Sequence, residues 1–122
     1  FANANKRAAL DSIVHPLVKQ EIINKVTNNR IADEFDYTFV EAALLIDDHY
    51  DVFLDEVWYI DADEDIRRKR LKENRGYPDE KIDNIFASQK SKEELIDKCD
   101  YCIDNSGDIN RTFEEIRKLL DK

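Results

Sequence analysis

VWYIDADEDIRRKRLKENRG, residues 57–76, decides the fold class of this 122-residue chain. VWYI at 57–60 is a short, continuous apolar run, which is typical of a parallel strand that is buried on both faces. The acidic residues at 61–65 favour the start of a helix, which we expect to continue to Arg75 and to end at Gly76. A strand that leads directly into a helix is the repeating unit of α/β proteins.

Two further segments have the composition of core strands. DYCID at 100–104 predicts a short buried strand, and YTFVEAALL at 37–45 predicts another because it is rich in aromatic and aliphatic residues. Together with 57–60, these segments predict a parallel sheet of three strands flanked by helices.

The remaining segments predict helices. Residues 5–27 have apolar side chains at helical spacing, and Pro16 within them predicts either two helices or one kinked helix. Residues 28–36 are polar and predict a loop. Later helix starts are expected at Pro78, at the capping-box pair Ser91 and Glu94, and after Gly107.

The composition restricts the classes of function. The formal net charge is −9, and an acidic chain repels phosphate backbones, so we expect no nucleic-acid partner. No apolar run approaches the roughly 20 residues that span a bilayer, and the start has no signal-peptide pattern. We therefore expect no membrane partner and a cytoplasmic location. Residue 1 is Phe and the chain has no Met, so we expect a longer natural gene product.

The two cysteines, Cys99 and Cys102, have C-x-x-C spacing. This spacing occurs in redox pairs and zinc sites, but the pair lies where a helix ends and a strand begins. No second Cys or His pair is placed to complete a zinc site. We expect two ordinary thiols and no metal site.

The basic segment RRKRLKENR at 67–75 has six basic side chains in nine positions. Arg67 and Arg70 are three residues apart, and Arg68, Lys72 and Arg75 are spaced by four and three, so each set can line one helix face. Such faces can be solvated surface, or they can close over phosphates, which arginine binds bidentately.

Two turns also have polar residues where ligands can bind. DNSGD at 104–108 follows a predicted strand, and ligands in open α/β sheets bind outside the carboxyl ends of strands. Asp47 follows the predicted strand at 37–45, where a carboxylate can orient a substrate. His15, before Pro16, is either a ligand group or a structural hydrogen-bonding residue. Each of these positions also has a purely structural interpretation.

Glycine is scarce in a way that matters for function. The chain has only Gly76 and Gly107. A phosphate-binding loop of the form G-x-x-x-x-G-K-[ST] therefore cannot be written within these residues.

Four motifs, taken in order and with their spacing, resemble the dephospho-coenzyme A kinase family. They are FANANKRAALDSIVHPLVKQE, AALLID, RLKENRGYPDEKIDNIFASQ and DYCIDNSG, and the resemblance runs from Phe1 to about Leu120. It implies a partial P-loop kinase-like α/β fold and the ATP-dependent phosphorylation of the ribose 3′-hydroxyl of dephospho-coenzyme A. It also implies ATP and Mg²⁺ as cofactors in the intact enzyme.

The resemblance implies a role for each matched site residue. Arg70 would be the lid arginine near the transferring phosphoryl group, and Arg75 would support it. Asn105 and Gly107 would lie near the adenine of ATP. The border of the acceptor site would be formed by His15, Leu44, Leu45 and Asp47. Asp47 stands where the family usually has Glu, and Arg70 and Arg75 have one residue more between them than the common form.

The resemblance also implies an organisation along the chain. Residues 1–36 would be a helical acceptor-binding segment, 37–62 core strands 3 and 4, 63–99 a helical lid, and 100–122 the last core strand with the C-terminal helix. The family's phosphate loop would precede residue 1, so we expect these residues alone to be inactive. We also expect the strand at 37–45 to pair with a missing or partner-supplied strand.

Two alternatives remain open at the sequence level. One is another nucleotide or small-molecule kinase of the same fold, and the other is a non-catalytic nucleotide-binding module.

Overall fold

A parallel pair of strands forms the sheet in the computed structural model, which describes residues 4–121. Strand β1 (Trp58–Asp61) pairs with strand β2 (Tyr101–Asp104) in register, so that Trp58 lies beside Tyr101 and Asp61 beside Asp104. Helices flank the pair, and the α/β class is confirmed. The chain divides into two units, Phe1–Asp55 and Glu56–Lys122, and the sheet belongs to the second.

The expected third strand is wrong. Residues 37–45 form no strand, and the sheet has two strands rather than three in the part of the chain that the structure describes. At the end of this segment two carbonyls accept local hydrogen bonds, since Asp48 N–H donates to Leu44 O over 2.8 Å and Tyr50 N–H to Leu45 O over 2.9 Å. An apolar run forms a strand only where a neighbouring strand accepts its backbone hydrogen bonds. The expected pairing of this segment with a missing or partner-supplied strand stays a prediction.

The first unit contains one long helix, α1 (Ala4–Ala32), with Pro16 inside it. Of the two alternatives expected at Pro16, two helices or one kinked helix, the structure has a single helix. The loop expected at 28–36 is partly wrong, because the helix continues to Ala32. A short 3₁₀ helix follows at Tyr50–Phe53, and Tyr50 is buried with a ring contact to Phe53.

The second unit follows the predicted helix boundaries closely. Helix α2 (Glu64–Arg75) ends at Gly76, whose φ of 65° is the left-handed conformation typical of a helix end. Helix α3 (Asp79–Ser88) starts after Pro78, and the short helix α4 (Lys92–Leu95) starts with the predicted capping box at Ser91. Helix α5 (Ile109–Leu120) ends the described chain.

A small apolar core joins these elements of the second unit. Val57, Ile82 and Ile103 are buried, and they come from the residue before β1, from α3 and from β2. Burial of apolar side chains supplies most of the favourable free energy of folding, so these residues are the apolar centre of the second unit. None of the helices within residues 4–121 has the length and apolar character needed to cross a lipid bilayer.

Candidate functional site

The carboxyl ends of β1 and β2 are joined by hydrogen bonds from the turn that follows β2. Asn105 N–H donates to Asp61 O over 2.6 Å, and Asp63 N–H donates to the Ser106 hydroxyl over 2.8 Å. Ser106 N–H in turn donates to Asp104 Oδ1 over 2.9 Å, and this bond lowers the pKa of the Asp104 carboxyl. The turn predicted from DNSGD is thus fixed at the edge of the sheet where open α/β folds bind ligands.

Asn105 connects this turn to helix α5. Its Oδ1 accepts a hydrogen bond from the hydroxyl of Thr112 over 2.9 Å, and Thr112 is buried. Asn105 therefore has a structural role whether or not a ligand is present. Gly107 is different, because a Cβ added there would meet no atom within 4 Å. It lies on an open side of the turn.

Four of the six cations of α2 divide into two groups, and the first group is neutralised by α3. Arg68 lies 3.0 Å from Asp79 and 2.5 Å from Asp83, and Lys72 lies 2.8 Å from Asp79. Hydrogen bonds from Lys72 and then from Arg68 lower the pKa of Asp79. The Asp83 and Asp79 carboxylates raise the pKa of Arg68. Each cation of this group already has its counter-charge.

The second group has no counter-charge within residues 4–121. Arg70 is partly exposed and has neither a hydrogen bond nor an ion pair in that part of the chain. The Arg67 guanidinium lies 4.6 Å from the centre of the Phe86 ring and donates from Nη1 to Gln89 Oε1 over 3.3 Å. Arg67 and Arg70 are three residues apart, so they project from neighbouring positions on the helix surface. Lys69 also lacks an ion pair within residues 4–121 but is exposed, so Arg67 and Arg70 are the α2 arginines best able to take an anionic ligand.

Arg75, at the end of α2, interacts with the tyrosine that follows Gly76. A hydrogen bond from Arg75, together with the charge of Lys81, lowers the pKa of the Tyr77 hydroxyl. Lys81 Nζ lies 3.9 Å from the centre of the same ring. Arg75 is therefore close to the turn between α2 and α3.

A further charged pair lies at the strand ends. Lys92, in α4, contacts Asp61 Oδ2 over 2.8 Å, and Asp61 raises the pKa of Lys92. Burial and the charge of Asp61 raise the pKa of Tyr59, whereas the charges of Arg67 and Lys92 lower it. Both cations are thus close enough to the carboxyl half of β1 to act on it electrostatically. Lys92, Phe86 and Gln89 were not among the predicted site residues, because only the tertiary fold brings them to α2 and β1.

The predicted acceptor-side residues all lie in the first unit. His15 is partly buried in α1, and its Nε2 lies 3.7 Å from Asp11 one turn earlier. Leu44, Leu45 and Asp47 lie in the turns that replace the expected strand, with Leu44 and Asp47 exposed and Leu45 partly buried. Arg70, Arg75, Asn105 and Gly107 lie in the second unit.

The described residues do not fit Mg²⁺. This ion requires several oxygen ligands in octahedral geometry, and no group of three His, Cys, Asp or Glu side chains within residues 4–121 is placed to hold a metal. Asp61, the carboxylate at the end of β1, is paired with Lys92. Cys99 and Cys102 are free thiols, and burial raises the pKa of Cys99.

Comparison with known proteins gives one consistent family. The family model described as dephospho-CoA kinase matches residues 1–111. A protein of Carboxydothermus hydrogenoformans named dephospho-CoA kinase is 34% identical to this chain over 123 residues. The match covers all of this chain and 59% of the relative. The relative in Symbiobacterium thermophilum is 32% identical over 116 residues, covering 95% of this chain and 48% of the relative. That in Bacillus licheniformis is 33% identical over 122 residues, covering 99% and 60%.

This chain thus spans about half to three fifths of the length of these relatives. No solved structure matches it.

Proposed function

This chain belongs to the dephospho-CoA kinase family, and we propose that the whole protein transfers the terminal phosphoryl group of ATP to the 3′-hydroxyl of dephospho-coenzyme A. The observation that carries the proposal is the family match over residues 1–111, which includes α2, the DNSGD turn and the HP dipeptide. The products are coenzyme A, ADP and the proton that the ribose 3′-hydroxyl loses. The bond between the β–γ bridging oxygen and the γ-phosphorus breaks as the ribose oxygen bonds to that phosphorus.

In phosphoryl transfer the protein mainly positions the reacting groups and stabilises the charge of the transferring phosphoryl group. Arg70 suits this task because its guanidinium is permanently charged, partly exposed and without a counter-charge within residues 4–121. We assign it to the transferring phosphoryl group, where a fixed cation stabilises the charge of the transition state. Arg75 is assigned a supporting role, since it lies close to Tyr77 at the end of the same helix.

The turn after β2 is assigned to the adenine. Its backbone is fixed by the bonds of Asn105 and Ser106 to residues at the end of β1, and Gly107 leaves one side open. A planar base can approach such an open side closely, and backbone groups of the turn can read its edge. ATP, when bound, supplies the phosphoryl group.

The acceptor is assigned to the first unit. His15, Leu44, Leu45 and Asp47 combine one imidazole, two apolar side chains and one carboxylate, which are groups that can hold a nucleotide with an apolar arm. Residues 1–36 are proposed as the acceptor-binding segment, 63–99 as the lid, and 37–62 and 100–122 as the core. The 122 residues contain no phosphate-loop sequence, so other residues must hold the triphosphate and Mg²⁺.

The test is an acceptor panel with the whole protein. Purified protein is incubated with ATP, Mg²⁺ and either dephospho-coenzyme A or a nucleoside monophosphate, and ³¹P NMR detects a new 3′-phosphomonoester. We expect coenzyme A as the preferred product. Preferred phosphorylation of a nucleoside monophosphate would instead support another kinase of this fold. Nucleotide binding without phosphorylation of any acceptor would support a non-catalytic module.

A further inference from the structure

Arg67 is held in a way that none of the other cations of α2 shares. Its guanidinium lies over Phe86 at 4.6 Å, and its Nη1 donates to the neutral amide oxygen of Gln89 at 3.3 Å. Its Nε is buried and has no hydrogen-bond partner. Within residues 4–121 it has no carboxylate partner. Arg67 is thus fixed in place while its charge stays uncompensated.

Such an arrangement is unfavourable for the folded chain alone. A buried N–H without an acceptor loses its bonds to water and gains none in return. Arg68 shows the alternative, because it lies over the same ring at 5.4 Å and is neutralised by Asp79 and Asp83. The buried Nε is out of reach of a ligand, so an anionic ligand would bind the outer donors of the guanidinium and supply the counter-charge that residues 4–121 lack.

The free part of the Arg67 guanidinium is suited to an oxyanion. Arginine has five N–H donors, and Gln89 takes one of them. The outer donors that remain can bind two oxygens of one phosphate in parallel. The ring of Phe86 holds the guanidinium plane, so little side-chain entropy is lost when an anion binds.

Arg67 also lies where a nucleotide phosphate is expected. It is one turn into α2, and its backbone N–H bonds to Asp63 O over 2.9 Å, just after β1 ends. Its charge acts on Tyr59 in β1. Arg70 is three residues further along the same helix.

We infer that Arg67 is a second phosphate-binding residue, positioned by Phe86 and Gln89, which binds the polyphosphate chain of the nucleotide before the reaction starts. The inference rests on the proposed function for the identity of the nucleotide, but the site itself requires only a polyphosphate anion. Arg67 is fixed beforehand, so it binds the ground state and the transition state about equally. Such binding affects KM and leaves kcat nearly unchanged.

Arg67→Gln and Arg68→Gln form a matched pair of variants. Each removes one guanidinium that lies over Phe86, but only the first removes an uncompensated one. In the whole protein we expect Arg67→Gln to raise KM for ATP about tenfold with kcat within about twofold, as for one lost charge-assisted hydrogen bond. Arg68→Gln should leave KM for ATP within about twofold of the wild-type value.

Gln89→Leu tests the positioning of Arg67 separately. It keeps the charge and removes the acceptor, so we expect KM for ATP to rise by a smaller factor, about threefold. Arg67→Lys should recover only part of the affinity, because an ammonium group lacks the planar fork.

A binding measurement makes the inference independent of catalysis. Inorganic tripolyphosphate is titrated into the whole protein by calorimetry, and Arg67→Gln should weaken its Kd about tenfold relative to Arg68→Gln. Equal Kd values for wild type and Arg67→Gln would overturn the inference, even if Arg70→Ala abolished phosphoryl transfer. A weakened Kd in a protein that phosphorylates no acceptor would keep this site and overturn the proposed function.

Discussion

The two cationic faces of helix α2 have the same kind of residue but different surroundings. Arg68 and Lys72 face carboxylates at 3.0 Å or less, whereas Arg67 and Arg70 have none within residues 4–121. Counting the basic residues of 67–75 does not separate these faces. The difference teaches that a candidate anion site is defined by cations that lack a counter-charge, and that the neighbouring helix decides which cations these are.

The spacing of the side chains of α3 determines which cations of α2 have a counter-charge. Asp79 and Asp83 are four residues apart and lie on one face of α3, which meets Arg68 and Lys72. Phe86 and Gln89 lie further along, and they present a ring and a neutral amide to Arg67. We call the face of Arg68 and Lys72 the closed face, because carboxylates of α3 neutralise it. The face of Arg67 and Arg70 is the open face, because it has no carboxylate partner within residues 4–121.

The largest expected effect lies on the open face. In the whole protein, Arg70→Ala should lower kcat by about 100-fold or more, because it removes a contact that strengthens in the transition state. Steady-state kinetics with dephospho-coenzyme A measures this. A kcat close to that of the wild-type protein would mean that Arg70 is a solvated surface residue without a catalytic role. The two faces would then not differ in function.

A carboxylate placed beside Arg67 should convert the open face into a closed one. Gln89→Glu gives Arg67 a counter-charge, so we expect KM for ATP to rise about tenfold while the folded state becomes no less stable. The matched change on the closed face is Asp79→Asn, which should leave KM for ATP unchanged. If both variants altered KM equally, the two faces would be functionally equivalent.

The pH dependence of stability should distinguish the closed face. Lys72 and Arg68 hold the pKa of Asp79 below its ordinary value of 3.8. A carboxylate with a lowered folded pKa stabilises the fold above its unfolded pKa, and this contribution is lost as pH falls through the folded pKa. The wild-type Tm should therefore exceed that of Asp79→Asn at pH 6, and the difference should vanish below the folded pKa. A difference that does not depend on pH would contradict this account.

The smallest expected effect is that of removing a cation from the closed face. Arg68→Gln should change kcat by less than about twofold, since exposed ion pairs contribute little and Arg68 is not assigned to a substrate. The control is Arg70→Gln, measured in the same assay. A large loss of activity with Arg68→Gln and an unchanged fold would mean that Arg68 is itself a functional residue despite its ion pairs.

The sequence predicted the elements whose signals are local. The apolar run at 57–60, Gly76 after α2 and the Ser91–Glu94 capping box all depend on neighbouring residues, and the structure confirms each of them. The strand expected at 37–45 needed a pairing partner far away in sequence. A run of apolar residues does not indicate whether such a partner exists, so this strand could not be predicted reliably.

The candidate site was predictable only in part for the same reason. The spacing of Arg67 and Arg70 indicated a possible phosphate-binding face before the fold was known. It could not show that Asp79 and Asp83 would neutralise Arg68 rather than Arg70. It also gave no sign that Gln89 would meet Arg67, because that contact joins residues 22 positions apart. The roles assigned to His15, Leu44, Leu45 and Asp47 stay predictions.

The central claim is that bound nucleotide contacts the open face of α2 and leaves the closed face alone. The most direct measurement is a titration of the ¹⁵N-labelled whole protein with ATP, following the arginine Nε–Hε resonances by NMR, with assignments from single Arg→Lys variants. We predict that the Arg67 and Arg70 resonances shift together and saturate with ATP, while Arg68 keeps its position. The account would be contradicted if the Arg68 resonance shifted as much as that of Arg67, or if the Arg70 resonance did not shift on addition of ATP.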